Sequence, residues 1–338
     1  MARIALDAMG GDFAPKATVA GALMALADLD PAHSIQLVGR TAAIQQQLDA
    51  LLAGELSAMA PHRPRCSIVE APDVVEMTDK PSAVVRSRPN SSMAVGLRLQ
   101  ADGESDAFVS AGSTGAQMAA SMVLLRLHAG LKRPAIVTLF PSARRPVAVL
   151  DSGANVDCSP DELVQFARLG SVYAECVLGR DEPAIGLLSI GEEAEKGNAV
   201  TKETHVLLAK SGLNFIGNVE GRDLPAGGTD QQAVDVVVCD GFVGNVLLKF
   251  YEAIAPFMID TLRNAGVPDQ MLGQGLKHLD YSEHGGAPLL GVRGVSIIAH
   301  GKSSPRAIKN ALKVAAQAVD SGMNDVIGQR LSATEPVA

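Results

Sequence analysis

The chain has 338 residues and a formal net charge of −8, from 29 Lys and Arg against 37 Asp and Glu. An acidic balance argues against a protein that coats nucleic acid, because such proteins carry a basic excess. Aromatic residues make up only 3% of the chain, so stacking surfaces for single-stranded nucleic acid are not expected either. Hydrophobic residues at 47% and charged residues at 20% are typical of a globular protein.

The cysteines and histidines show no metal-binding spacing. The four cysteines are scattered and include no C-x-x-C pair, which argues against a disulfide framework and against a structural zinc site. The seven histidines include no H-x-x-x-H pair. We therefore expect neither a metal nor a cofactor.

The chain shows no segment that we interpret as targeting or membrane-spanning. Its first residues lack the apolar region of a signal peptide. No apolar run reaches the roughly 18 residues that a membrane span needs. We expect a soluble protein, or one that at most lies on a membrane surface.

Short β-branched runs alternate with Ala- and Leu-rich stretches of helical periodicity along the chain. The predicted strands cover residues 4–6, 35–38, 67–69, 107–109, 136–139, 147–150, 184–188, 234–239 and 295–299. Helices are predicted to begin near Pro15, Thr41 and Asn90, after the loop 110–115, at the capping box 159–162, at Val246 and at Pro305. This alternation predicts an α/β fold with a largely parallel sheet and helices on both faces. No break in composition marks a linker, so residues 1–338 are treated as a single unit.

Three loops at predicted strand ends have the composition of an anion site. They cover residues 7–12, 110–115 and 300–304, and are rich in Gly and small hydroxyl residues, which let backbone N–H groups approach an anion. Ordinary turns between strands and helices share this composition, but three such loops together favour a phosphate or oxyanion site. The candidate substrate-binding residues are Asp7, Gly10, Gly11, Asp12, Arg86, Ser110, Gly112, Ser113, Thr114, Gly115 and Lys302.

Familiar nucleotide and hydrolase motifs are not found. No G-x-G-x-x-G follows a predicted strand, and the sequence has no G-x-S-x-G. Gly301-Lys302-Ser303 resembles the end of a P-loop, but the position of the required first glycine is Ser296, inside a strand. The chain is therefore not predicted to be a P-loop or dinucleotide-binding protein.

Three further polar loops leave their interpretation open. In residues 240–245 an Asp and an Asn bracket two glycines, which suits an anion, hydroxyl or metal site as well as it suits two helix and strand caps. Residues 151–157 form a similar polar loop after a strand. Residues 191–197 are acidic around the single Lys196, and we favour a solvated loop there over a catalytic lysine.

Five motifs in this order resemble the bacterial PlsX family, the acyl-[acyl-carrier-protein]:phosphate acyltransferases of phospholipid biosynthesis. The motifs lie at 7–12, 110–116, 153–155, 190–193 and 240–245, and the resemblance extends from Ile4 to about Val326. It implies a three-layer α/β/α fold related to phosphotransacetylases and to isocitrate/isopropylmalate dehydrogenases. It also implies a cytoplasmic homodimer that contacts the membrane, where the acyl phosphate passes to a glycerol-3-phosphate acyltransferase.

The implied reaction is the attack of inorganic phosphate on an acyl thioester, which releases the acyl carrier protein. Such a site must hold a dianion and stabilise the oxyanion that develops. By residue type, Lys196, Lys302 or Arg86 could hold the phosphate, Asn155 or Asn245 could donate to the oxyanion, and a Lys or His could protonate the thiolate. The candidate catalytic residues are Lys196, Asn155, Asp240, Asn245 and His300.

Two other functions remain open at this stage: a phosphotransacetylase-like enzyme that uses acyl-CoA, and a non-catalytic module that binds lipid or carrier protein. The predicted helix 246–263 carries a wide apolar stripe and contains Pro256, which we expect to kink it. We expect a helical projection at about 246–285, which contacts a second subunit and leaves its tip for the carrier protein or a membrane.

Overall fold

The computed structural model describes residues 1–76, 78–268, 271 and 285–333. These residues divide into two compact units. The first contains residues 1–129 and the described residues from 285 onward, and the second contains the described residues of 130–271. Each unit has a sheet, although no linker-like composition separates them. That the two units make one catalytic unit stays a prediction.

The first unit is built on a mainly parallel sheet. Its strands are β1 (Arg3–Asp7), β2 (Ser34–Gly39), β3 (Cys66–Glu70), β4 (Ala107–Ser110), β11 (Ala287–Leu290) and β12 (Val295–Ile298). They lie in the order β3-β2-β1-β4-β12-β11. Every neighbouring pair is parallel except β11 and β12, which are antiparallel. The carboxyl ends of β1, β4 and β12 therefore lie side by side at one edge.

Helices of the first unit pack against this sheet in two groups. They are α1 (Lys16–Asp28), α2 (Thr41–Ala53), α3 (Val84–Ser87), α4 (Ser92–Ala101), α5 (Thr114–Leu124), α10 (Pro305–Asp320) and α11 (Met323–Ala333), with 3₁₀ turns at Ser57–Arg65 and Pro81–Ala83. Helix α1 packs against α10, and α4 against α5. Right-handed crossovers in opposite directions along the sheet place α1 and α4 on opposite faces, which gives three layers.

The second unit repeats the strand–helix alternation on a smaller sheet. Its elements are β5 (Ala135–Ile136), β6 (Thr138–Phe140), β7 (Val147–Leu150), α6 (Pro160–Cys176), β8 (Ile185–Leu188), α7 (Ala199–Ala209), β9 (Phe215–Val219), α8 (Asp223–Ala226), β10 (Val236–Val238) and α9 (Gly241–Asn264). The sheet order is β6-β7-β10-β8-β9, and only the pair β6 and β7 is antiparallel. The predicted capping box at Ser159 and Glu162 is confirmed at the start of α6.

Several elements differ from the sequence prediction. The predicted strand 136–139 is two short strands, β5 and β6, and a 3₁₀ helix at Ser57–Arg65 lies where no strand or helix is predicted. Helix α9 begins at Gly241, five residues before the predicted start, because the Asp240 side chain caps it. Strands β9 and β11 and helix α7 were not predicted, since their short and mixed sequences show weak periodicity.

Helix α9 has one face on the core and one face exposed. Leu247, Leu248 and Tyr251 pack against the core of the second unit, and the Tyr251 ring meets the Phe140 ring edge-on at 4.7 Å. Val246, Phe250 and Phe257 are more than half exposed. Among the described helices, α9 is the one long and apolar enough to cross a membrane, by length and composition only. The prediction that no apolar run reaches about 18 residues is therefore wrong for α9. The predicted projection beyond it falls largely on residues 269–270 and 272–284, outside the described residues.

Candidate functional site

The three glycine-rich loops of the first unit meet at the carboxyl edge of its sheet. The N–H of Asp12 donates to the carbonyl oxygen of Gly301 at 2.8 Å, which joins the first loop to the third. Gly11 has φ +102°, and a Cβ on it would stand 3.1 Å from both the Gly301 oxygen and the Ala111 Cβ. Glycine is therefore required where the first loop passes between the other two.

The second loop leads directly into helix α5. The Ser113 hydroxyl caps this helix by accepting the N–H of Ala116 at 3.4 Å. The amides of Thr114 and Gly115 lie in the first turn, where helical N–H groups have no intrahelical acceptor. Thr114 is exposed, and Gly115 lies beside Pro81. This edge thus presents N–H groups and the positive end of a helix dipole, which together favour an anion.

Asp7 lies beneath these loops, with 2% of its surface exposed. Its Oδ2 accepts the Ser110 hydroxyl at 2.7 Å, and its Oδ1 accepts the N–H of Met9 at 3.2 Å. Burial raises the pKa of the Asp7 carboxyl, and hydrogen bonds from Ser92 and Ser110 oppose that shift. Asp7 therefore holds the loops that form the site. The prediction from the sequence was that it contacts the substrate.

The predicted cations of the first unit are on its surface. Lys302 is exposed in the loop after β12, and its backbone N–H donates to the Nδ1 of His300 at 3.1 Å. The His300 side chain is also exposed, and Nδ1 is fixed as the acceptor in this contact. Arg86 is exposed in α3, and α3 packs against α5. Lys302 thus stands in one of the three converging loops, and Arg86 on a helix that adjoins the second.

A second glycine-rich arrangement lies at the carboxyl edge of the second unit's sheet, around Asp151. This residue follows β7 and is fully buried. Burial raises the pKa of its carboxyl, and several hydrogen bonds oppose the shift. Its two oxygens accept backbone N–H groups from Ile136, Gly153, Ala154 and Asn155. Asp151 is not among the residues predicted for the site, because these hydrogen-bond partners are visible only in the fold.

Asn155 has its side-chain amide engaged within the same loop. Its Nδ2 donates to the Pro134 carbonyl oxygen at 2.7 Å and to the Asp151 Oδ2 at 3.0 Å, and the residue is buried. An amide has two hydrogens, and both are used here. This placement argues for a structural role and against the predicted donation to an oxyanion.

Asp240 and Asn245 stand at the start of α9. The Asp240 Oδ1 accepts the N–H of Val243 at 2.8 Å, which is a helix cap. Asn245 is exposed, and its side chain lies beside Gly153, where a Cβ would stand 3.4 Å from it. The cap interpretation therefore accounts for Asp240, while the Asn245 amide faces outward near the 151–155 loop.

The acidic loop 191–197 carries an exposed Lys196, as expected for a solvated loop. Its backbone is held by a residue that the sequence analysis missed. The buried Asn218 donates to the Glu193 carbonyl oxygen at 2.8 Å, and its Oδ1 lies 3.0 Å from the His205 Nδ1. An amide oxygen only accepts, so Nδ1 carries the hydrogen in this contact. The signal that could have identified Asn218 is its position in β9, where a buried polar side chain needs hydrogen-bond partners.

No group of three or more His, Cys, Asp or Glu residues suited to a metal ion occurs within the described ranges.

Residues 2–326 match the model of a protein family described as "Fatty acid synthesis protein". The chain belongs to this family. It is the PlsX family that the five motifs resemble, and membership makes the chain an acyltransferase. A phosphate acyltransferase from Desulforamulus reducens is 48% identical over 98% of both chains. Another, from Herpetosiphon aurantiacus, is 41% identical over 99% of both.

Solved structures confirm the predicted fold of this PlsX-family chain. A phosphotransacetylase from Streptococcus pyogenes matches 94% of both chains with a TM-score of 0.64 at 16% identity. The EutD phosphotransacetylase from Staphylococcus aureus matches 94% of both chains with a TM-score of 0.60 at 15% identity. At this identity the likeness shows a shared α/β fold.

Proposed function

We propose that the chain transfers an acyl group from acyl carrier protein to inorganic phosphate, in the synthesis of phospholipids. The observation that carries the proposal is the meeting of three glycine-rich loops, one of them leading into α5, at one edge of the first unit's sheet. Relatives named phosphate acyltransferase, at 41% to 48% identity over nearly the full chain, support phosphate as the ligand of these loops.

The reaction requires no protein nucleophile, because phosphate itself attacks. A phosphate oxygen forms a bond to the thioester carbonyl carbon, and the carbon–sulfur bond breaks. The proton of the monohydrogen phosphate ends on the departing sulfur, so the products are acyl phosphate and the thiol of the carrier. The protein must hold the dianion, orient it and stabilise the charge on the carbonyl oxygen.

The groups available for these tasks differ in how well they are placed. In the first unit, the amides at the start of α5 and the Lys302 ammonium would hold the phosphate. By residue type alone, the candidates for the oxyanion and the thiolate remain Lys196 and Asn245, which are exposed in the second unit, and His300, which is exposed in the first. Asn155 is the weakest candidate, because both hydrogens of its amide are engaged.

We also propose that the protein is a cytoplasmic homodimer that contacts the membrane peripherally, and that it passes acyl phosphate to a membrane glycerol-3-phosphate acyltransferase. The exposed apolar face of α9, with Val246, Phe250 and Phe257, supports a surface that is covered in the cell. The family resemblance supports the choice of a second subunit, the membrane and a glycerol-3-phosphate acyltransferase as the partners.

The deciding experiment supplies the purified protein with acyl carrier protein bearing an acyl thioester, or with acyl-CoA, and measures thiol release with and without phosphate. We expect phosphate-dependent release from the carrier protein, with acyl phosphate trapped as the hydroxamate. Release from acyl-CoA alone would instead indicate a phosphotransacetylase-like enzyme. No release from either donor would indicate a binding module.

A loop variant tests whether turnover depends on the second loop. A Cβ at Gly112 would stand 3.2 Å from both the Met93 side chain and the Ser110 hydroxyl, so the larger side chain of Gly112→Val crowds both neighbours. We expect it to abolish turnover while the circular dichroism spectrum is kept. Gly221→Val, in an open position, is the control and should stay active. Full activity of Gly112→Val would remove this loop from the site.

A further inference from the structure

Asp7 and Ser110 form a buried pair that links two of the converging loops. They are 103 residues apart in the sequence and both are buried, and the Ser110 Oγ lies 2.7 Å from the Asp7 Oδ2. A carboxylate oxygen accepts, so the hydroxyl hydrogen points toward Asp7. The direction of the Ser110 hydroxyl is thereby fixed.

The fixed hydroxyl in turn holds the backbone of the second loop. The N–H of Gly112 donates to the Ser110 Oγ at 3.0 Å. Because the hydroxyl gives its one hydrogen to Asp7, it has lone pairs to receive this N–H. The chain of hydrogen bonds therefore runs from Gly112 through Ser110 to Asp7. These hydrogen bonds turn the Gly112 amide toward the buried carboxylate. They thereby fix the positions of the next amides, at the start of α5.

Gly10 shows that the first loop rests on the same carboxylate. A Cβ at Gly10 would stand 2.6 Å from the Asp7 Oδ2 and 3.0 Å from the Gly112 nitrogen. The two loops thus come together at Gly10 directly above Asp7. The Oδ1 of Asp7 also accepts the N–H of Met9, within the first loop. One side chain therefore fixes both loops.

We infer that Asp7 is a positioning residue: acting through Ser110, it places the amides of the 110–115 loop for an anion without touching the ligand. The inference rests on the proposed function only in naming the anion as inorganic phosphate. A buried carboxylate is costly unless it is well hydrogen-bonded, and its donors here come from both loops and from Ser92.

The test compares Ser110→Ala with Ser121→Ala. Both serines are fully buried in the first unit and both bond another side chain, but Ser121 bonds Ser296 on β12 whereas Ser110 bonds Asp7. We expect Ser110→Ala to raise the phosphate KM about tenfold, the effect of one lost oriented hydrogen bond, with the KM for the acyl donor unchanged. Ser121→Ala should leave the phosphate KM unchanged. Asp7→Asn should raise the phosphate KM as Ser110→Ala does. If Asp7→Asn fails to fold, the comparison of Ser110→Ala with Ser121→Ala still tests the inference.

Two outcomes overturn the inference: an unchanged phosphate KM in Ser110→Ala, or equal changes in both serine variants. Thermal unfolding with added inorganic phosphate separates this result from the fate of the proposed function. If the wild type forms no acyl phosphate, the proposed function is wrong. Even then, the positioning role is supported if added phosphate raises the Tm of the wild type and of Ser121→Ala but leaves the Tm of Ser110→Ala unchanged. An equal Tm rise in all three proteins, or none in the wild type, overturns it.

Discussion

The backbone of Gly244 in α9 lies against the carbonyl oxygen of Asp151, so closely that a Cβ on Gly244 would stand 1.9 Å from that oxygen. Gly241 is similarly confined, since a Cβ there would stand 2.5 Å from the Asn155 carbonyl oxygen. The first turn of α9 therefore packs directly on the 151–155 loop. Asn245 owes its position beside Gly153 to this contact.

Gly244→Ala should accordingly destabilise the second unit. The crowded atom is backbone and cannot rotate away, so we expect a loss of about 3 kcal/mol or more, at the upper end of overpacking effects. The measurement is the Tm by circular dichroism. Gly221→Ala, in an open position of the same unit, is the matched control and should change the Tm little. Equal Tm values for the two variants would contradict the packing described here.

Gly11→Ala tests the crossing of the three loops in the first unit. The substitution combines a strained backbone at φ +102° with contacts of 3.1 Å to the Gly301 oxygen and the Ala111 Cβ. Gly103→Ala has the same kind of strain, at φ +74°, but an open environment. We expect the phosphate KM to rise only in Gly11→Ala, because only there must a loop move. A rise in both variants would mean that backbone strain alone is responsible.

Lys302→Ala should raise the phosphate KM at least several-fold, because a cation that contributes to ground-state binding is lost. Lys202 is an exposed lysine on α7 of the second unit, so Lys202→Ala controls for the change in net charge. Initial rates over a range of phosphate concentrations provide the measurement. An unchanged KM in Lys302→Ala would make this lysine an ordinary solvated side chain.

The ion pair between Arg3 and Asp106 should make stability depend on pH in the acid range. The Arg3 Nη2 lies 2.9 Å from the Asp106 Oδ1, and hydrogen bonding to Arg3 lowers the pKa of the Asp106 carboxyl. A lowered pKa means stability that is present above the unfolded value of about 3.9 and lost as pH falls through the folded value. Asp106→Asn should therefore cost most above pH 4 and least near pH 2.

Denaturant unfolding at a series of pH values measures this difference. Asp49→Asn, which changes an exposed carboxylate of α2, is the control and should show a smaller effect. A cost of Asp106→Asn that stays constant from neutral pH to pH 2 would argue that the carboxylate charge does not matter.

Replacing Phe257 and Met258 with Asp tests the exposed face of α9. We expect the double variant to shift toward monomer and to bind anionic vesicles more weakly, since apolar area is lost and negative charge is added. Thr261→Asp with Asn264→Asp adds the same charge at exposed polar positions of the same helix. Light scattering and vesicle sedimentation measure the two effects. If the double variant is still a dimer and binds vesicles as the wild type does, this face of α9 has another role.

Local sequence determined the elements of this protein wherever the signal lies within a few residues. The capping box at Ser159 and Glu162, the buried strands β1, β4 and β12, and the loops that follow them could be predicted, because periodicity and capping are short-range effects. The five motifs were sufficient to identify the family. Strands β9 and β11 could not be predicted, because short strands depend on the neighbours they pair with.

Tertiary structure decided what each polar residue does. Asp7 was expected at the ligand, but its carboxylate bonds Ser110, 103 residues away. Asn155 was expected to donate to an oxyanion, but its amide bonds the Pro134 carbonyl and Asp151. A carboxylate or an amide looks the same in the sequence whether its hydrogen-bonding capacity is free or used. Only the fold brings the distant partners together, and a buried polar group must take the partners the fold supplies.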